Sequence, residues 1–265
     1  MKKLLAICGL VAVSLMLASC DGGTTPGELN LTFTVVNSGT DVQLDWDQIE
    51  GADYYTIDVD GTIIDSTADN TVVTYTVTAA DAGKVITVTA VGADKDESVD
   101  FESTVETGDL GSNFGEASST DYYSAAGFNQ DGDPTVYSLL DNGNYSNFDF
   151  WISDGAAGTD IGEIDLVSPN ATYGGTGNFN SEGNYSTAWG TGYVAPTSGY
   201  LNIYPGAGGI VNGSSYALWI DPSDNGWDLN DHFVRLDCTG IGGDGQVTMN
   251  TNYQTVGGLL WVPVD

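Results

Sequence analysis

The sequence predicts an all-β protein made of two successive domains, a small sandwich followed by a larger, jelly-roll-like one. Three observations predict it. Apolar and polar residues alternate at period two along most of the chain, the mark of half-buried strands. The alternating runs are short and are punctuated by Gly, Asn, Asp and Thr, with 36 Gly among 265 residues, which is the turn chemistry that strands need. Helical periodicity is almost absent: only residues 78–82 and 117–126 have the composition for a turn or two of helix.

The first 27 residues stand apart from this pattern. Lys2 and Lys3 precede an apolar run over residues 4–17, and Leu17-Ala18-Ser19-Cys20 closes it with small residues before a cysteine. That arrangement predicts a signal peptide over residues 1–19, since the run falls short of the ~20 residues a membrane span wants. Its end resembles the bacterial lipobox, in which the cysteine thiol takes a diacylglycerol and becomes the new N-terminus. Cys20 is therefore the expected lipidation site, and each buried CH2 of its acyl chains adds about 0.8 kcal/mol of membrane affinity. Residues 20–27 read as a flexible tether, because Gly, Thr and Pro there offer no face to bury. The expected location is the cell envelope, outside the cytoplasm and held by lipid. Which membrane holds it is left open.

Charge and cysteine count narrow the partners. Once residues 1–19 leave, three basic side chains (Lys84, Lys95, Arg235) face 37 Asp and Glu. Such a surface repels phosphates, so nucleic acid is excluded as a partner. Cys8 leaves with the signal and Cys20 is acylated, which leaves Cys238 alone and allows no disulfide within the mature chain.

The first domain is expected over residues 28–107. Val42, Leu44 and Trp46 alternate with Gln43 and Asp45, and Tyr55, Ile57 and Val59 alternate up to Asp60-Gly61, a hairpin turn pair. Strands over 72–77 and 85–91 follow at sandwich spacing. The runs Val42-Gln43-Leu44-Asp45-Trp46, Gly51-Ala52-Asp53-Tyr54-Tyr55-Thr56-Ile57 and Val85-Ile86-Thr87-Val88-Thr89-Ala90-Val91 resemble strands B, C and F of a fibronectin type III domain. Val85 stands where that family usually has a core Tyr. The resemblance implies a seven-stranded sandwich serving as spacer or protein-binding module, with no catalytic residues.

The second domain, residues 108–265, holds five of the six Trp and eleven of the fourteen Tyr. Phe148, Phe150 and Ile152 alternate with Asp149 and Trp151, and Leu201 and Ile203 with Tyr200 and Tyr204. Later strands are expected over 216–220, 233–238, 247–249 and 259–264. Parity makes Trp151 an expected exposed ring, and Trp227 a second one inside an acidic loop. Trp219 and Trp261 lie in apolar runs and are expected to be buried. Exposed rings in a β-domain suit sugar stacking, so carbohydrate or a protein surface is the expected ligand of a non-catalytic binding or adhesion module.

Several motifs carry chemistry on paper. Gly240-Ile241-Gly242-Gly243-Asp244-Gly245 has dinucleotide-loop spacing, but a strand-like run follows where a helix is needed, so a hairpin turn is expected. His232 is the only histidine and no G-x-S-x-G surrounds a serine, which leaves nucleophilic catalysis without an elbow. One His and one free Cys are too few for zinc. A glycoside hydrolase, using two of the many carboxylates, is the enzyme alternative.

Asp221, Ser223, Asp224, Asn225, Asp228 and Asp231 gather hard oxygen donors in one loop that begins like an EF-hand, and calcium is the expected cation. Its twelfth position is His232, so the bidentate Glu is missing. Asn129, Asp131 and Asp133 form a second, smaller cluster. Finally, Tyr216-Ala217-Leu218-Trp219, Asp231-His232-Phe233-Val234-Arg235-Leu236 and Tyr253-Gln254 resemble closing strands of secreted bacterial domains, and loosely lipoproteins of the HmuY heme-binding type. That resemblance implies a heme or small-ligand carrier, for which only His232 and Met249 are available as axial ligands. Heme is the weaker alternative, because fold likeness carries no site with it.

Overall fold

The computed structural model describes residues 28–92, 96–117, 123–153, 164–173, 176–205 and 208–263. The signal, Cys20 and the tether lie outside the described residues. The protein is all-β. Among the described residues two compact units are present: one holds residues 28–36 together with Asp41–Glu102, and the other holds Asn37–Thr40 and residues 103–263. No helix among the described residues is long and apolar enough to cross a membrane.

The first unit has seven strands: β1 (Leu31–Val36), β2 (Asp41–Trp46), β3 (Ala52–Val59), β4 (Thr62–Ser66), β5 (Thr74–Val77), β6 (Ile86–Gly92) and β7 (Glu97–Phe101). They form a three-stranded sheet in the order β1-β2-β5 and a four-stranded sheet in the order β4-β3-β6-β7. Period two sorts their side chains as the sequence predicts. Val42, Leu44 and Trp46 of β2, Tyr55, Ile57 and Val59 of β3, and Ile86, Val88 and Ala90 of β6 are all buried. Trp46 and Tyr55 meet at 5.3 Å between ring centroids and join the two sheets. Asp60 and Gly61 both have positive φ, 49° and 81°, which is what the tight β3–β4 hairpin requires. Residues 79–81 make a short 3-10 turn inside the stretch expected to be helical.

The second unit has β8 (Val105–Asp109), β9 (Ala125–Phe128), β10 (Pro134–Tyr137), β11 (Phe150–Ile152), β12 (Leu166–Val167), β13 (Thr172–Tyr173), β14 (Thr176–Gly177), β15 (Tyr185–Ala188), β16 (Ile203–Tyr204), β17 (Ser215–Ile220), β18 (His232–Ile241) and β19 (Val247–Gln254). Two five-stranded sheets run in the orders β10-β9-β11-β12-β16 and β15-β17-β18-β19-β8, and β13-β14 is a small separate hairpin. The sequence reading carries the first domain to Thr107. In the structure Val105–Asp109 pairs with β19, so these residues complete the second unit's sheet.

A buried cluster that includes Phe150, Ile152, Leu166, Leu218, Val234 and Leu236 takes side chains from both sheets. Each sheet also carries a second apolar cluster from strand residues of the opposite parity. Ala125, Phe148, Trp151 and Val167 pack with Phe179 and Tyr145, while Ala217 and Phe233 pack with Trp189, Leu260 and Val262. These outer clusters explain the aromatic content of the second unit: most of its rings are packed.

Two local expectations are corrected. Ala125 and Ala126, expected at the end of a helical turn, open β9 and are fully buried, so their small side chains fit a strand crowded on both faces. Residues 259–262 are all buried but form no strand, only an isolated bridge from Trp261 to Val194, because a continuous apolar run has no polar face to pair at an exposed edge. Residues 240–245 fall at the β18–β19 hairpin, the turn the sequence reading favours.

Candidate functional site

The loop from Asp221 to Asp231 joins β17 to β18 and is held from within. The Asp221 carboxylate, 1% exposed, accepts hydrogen bonds from Ser223 N (3.2 Å), Ser223 Oγ (3.1 Å) and Asn225 N (3.4 Å) at Oδ1, and from Gly226 N (2.9 Å) at Oδ2. This is an Asx-type turn, in which a short acidic side chain satisfies backbone donors that no strand can reach. Asp228 Oδ1 accepts from Asn230 N at 2.6 Å, and Asn225 Nδ2 donates to Asp228 Oδ2 at 3.4 Å. Asp224 Oδ1 accepts from Tyr185 Oη at 2.6 Å.

Asp231 is fully buried; its Oδ2 accepts from Asp228 N (2.8 Å) and from Trp219 Nε1 (3.0 Å), while Oδ1 has no partner. Burial raises its carboxyl to about 6 against those two hydrogen bonds, with Asp221 and Asp228 adding to the rise. The four carboxylates thus serve four different sets of partners. Among the described residues no group of three or more His, Cys, Asp or Glu could hold a metal ion. In Asp221, Asp228 and Asp231 a carboxylate oxygen already accepts N–H groups of the loop itself.

Beside this loop lies an aromatic group on β15, β17 and β18. Trp219 is half-buried, with Tyr185 at 5.8 Å, Tyr200 at 5.6 Å and Phe233 stacked at 6.0 Å. Tyr185 is also half-buried, and its hydrogen bond to Asp224, ahead of burial, pushes its phenol up to about 12. The bond leans on Gly183, because a Cβ there would run into the Asp224 carboxylate. Half-exposed rings bordered by an exposed carboxylate can stack on an apolar ring face and bond to a hydroxyl at its rim.

The sequence-predicted residues fall differently. Trp151, expected to be exposed, is 1% exposed; its indole nitrogen donates to Ser168 O at 3.3 Å and Phe179 meets it edge-on at 5.9 Å. Its parity is as read, away from Phe150 and Ile152, but the outward face is covered by Ala171, Tyr173 and Phe179 of the same unit. Trp227 is half-buried, donates to Gly258 O at 2.9 Å and packs on the cluster opposite to Trp151's, so the two rings share no face. Trp219, expected to be buried, is half-buried like Trp227.

His232 opens β18 half-buried; its Nδ1 lies 2.9 Å from Gln254 O and its ring stacks on Tyr253 at 5.0 Å. Met249 is fully buried and pairs with Cys238, six residues along β18 from His232. At about 3.4 Å per residue the two sit roughly 20 Å apart along one sheet. They do not face each other across a slot, so the axial pair for heme fails.

A second polar group has no signature in the sequence. Asp149, just before β11, accepts from Phe128 N at 2.7 Å, and its backbone oxygen accepts from Asn184 Nδ2 at 2.8 Å. Burial pushes its carboxyl up to about 7; the bond from Phe128 opposes this and nearby Glu182 adds to it. Glu182 is itself raised by burial, partly offset by Asn184. Tyr253 is raised by burial and by Asp149, and His232 is lowered by burial. Asp149 thus lies within electrostatic reach of Glu182 and Tyr253, and His232 stacks on that Tyr253. Only an excess of acids hints at this in sequence, and that excess points everywhere. The chain matches no protein-family model and no curated protein.

Proposed function

We propose that the chain is a lipid-anchored protein of the cell envelope, held through Cys20, whose second unit is a non-catalytic binding module for extracellular carbohydrate. The observation that carries the ligand reading is the half-exposed pair Tyr185 and Trp219 with Asp224 hydrogen-bonded at its rim. Aromatic rings offer an apolar face and a polar tip together, and sugars present CH faces edged by hydroxyls. The first unit, with sheets of three and four strands like the fibronectin type III arrangement, stands between the anchor and this module along the chain.

The test is affinity electrophoresis and isothermal titration against a panel of polysaccharides. One member should bind, and Tyr185→Ala should weaken it about tenfold, in the range of a lost interface aromatic. Binding by no polysaccharide, or undiminished binding by that variant, overturns the reading. For the anchor, Cys20→Ala should leave the detergent phase in which the parent partitions; equal partitioning of the two sinks it.

A second reading, a glycoside hydrolase, draws support from Asp149 beside Glu182, since such enzymes pair a protonated carboxyl with an ionised one. It requires hydrolysis of a glycan that Asp149→Asn and Glu182→Gln each abolish. A fully active double variant would leave only the binding role.

A further inference from the structure

The first unit carries an open edge of unusual composition. β4 is the end strand of the four-stranded sheet, so among the described residues no strand lies beside one side of its backbone, and all five of its residues are exposed. Ile63 is 63% exposed and Ile64 45% exposed. Natural edges are commonly blunted by lysine, proline or a charge turned inward. β4 holds none of the first two, and its one irregularity is a register shift opposite Ile57 and Asp58.

Alongside β4 runs an open groove of about 490 Å³ on the outer face of β3, β4 and β6, lined by Tyr54, Asp58, Ile63 and Val91 among others. Tyr54 is 38% exposed. Carboxylates border the strand at Asp58, Asp60 and Asp65. Each accepts a backbone hydrogen bond, from Gly61, Val85 and Ser66 respectively, and so is fixed in place. Lys84, the cation of this unit within the described residues, is paired with Asp81 at 3.0 Å.

Charge decides what can cover this edge. A second copy of the chain would bring 37 acidic side chains against three basic ones after the signal leaves, and would be repelled. The same field attracts a cationic segment and speeds its encounter.

We propose that β4 is a docking edge for an extended, lysine- or arginine-bearing segment of another protein, which adds as a strand beside β4, lays apolar side chains on Ile63 and Ile64, and sets its cations among Asp58, Asp60 and Asp65. Strand addition supplies affinity through main-chain hydrogen bonds and specificity through alternate side chains. The site gives the first unit a task beyond standing between the anchor and the second along the chain, and it is independent of what the second unit binds.

The probe is a capped alternating Lys-Val peptide of about ten residues, long enough to pair along β4, added to the mature chain, with a Glu-Val peptide as control. Hydrogen exchange should show the amides of Thr62–Ser66 slowed by the Lys-Val peptide alone. Ile63→Asn with Ile64→Asn should weaken its binding about tenfold at an unchanged melting temperature, since both side chains are exposed. Binding that protects no β4 amide, or that the double variant leaves intact, would be general attraction to an acidic surface and overturns the proposal. So does a dimer of the chain at low salt that the double variant dissolves, because the occupant would then be a second copy.

Discussion

Trp46 and Asp149 act on stability in two different ways. Trp46, 5% exposed and packed on Tyr55, holds two sheets together through contact area. Trp46→Ala should cost about 3–5 kcal/mol in urea unfolding, the range for a large aromatic truncation. A loss within about 0.5 kcal/mol, the range of ordinary surface sites, would place the ring at the surface.

Asp149 acts through a proton. Its folded value, about 7, lies above the ordinary 3.8, so between those values the folded state holds more protons than the unfolded one. Its contribution to stability therefore falls as pH rises from about 4 and levels off above about 7. His232, lowered by burial, has the opposite sign: its charged form is disfavoured in the fold, and stability is lost as pH falls through its unfolded value of 6.5. Asp231 shares the direction of Asp149 but finishes near 6. The window between about pH 6 and pH 8 thus separates Asp149 from Asp231. Asp149→Asn should raise the melting temperature at about pH 8 and flatten its decline across that window; a slope identical to the parent's would show that the carboxyl is ionised throughout.

At the scale of elements, period two was legible wherever one face of a strand met the core and the other met polar groups. β2 and β6 follow their alternation closely. Where both faces are covered, the pattern identifies the strand but misjudges its environment. Trp151 points away from Phe150, as its parity requires, and meets Phe179 instead of water. Parity reports which side a residue takes and carries no information about a distant segment that roofs that side. The acidic loop was legible as a turn from its Asx residues, while its mixed pattern of partners was not, because hydrogen bonds such as Tyr185 to Asp224 span 39 residues. Asp149 and Glu182 were hidden for the same reason. The turn into β15 gives a test of this long-range wiring. Gly183→Ala should push Asp224 aside and lower the Tyr185 phenol from about 12 toward its ordinary 10.0, read by NMR titration of the ring; a phenol that stays near 12 would mean the bond tolerates a side chain there.

Across the whole molecule, five basic side chains against 37 acidic ones make self-repulsion a standing cost of compactness. Sodium chloride should raise the melting temperature, as screening shortens to about 8–10 Å near physiological salt. Calcium at matched ionic strength should raise it no further, because the oxygens of Asp221 already accept the loop's own N–H groups. A larger rise with calcium that Asp224→Asn and Asp228→Asn remove would restore the cation site.

Asn184 has a consequence for how the second unit ages. Its Nδ2 donates to Asp149 O and its Oδ1 accepts from Asp221 N, so one amide side chain ties the acidic loop to the strand that begins at Phe150. Asparagine is among the thermolabile residues, and hydrolysis of this amide would turn it into a carboxylate. The donor to Asp149 would be lost and a new negative charge would arise beside Asp149 and Glu182, where none can be neutralised by a neighbouring cation. At 1% exposure Asn184 is shielded from the water that reaction consumes. The shelf life of the second unit and the tie between the acidic loop and β11 therefore depend on the same buried amide staying intact.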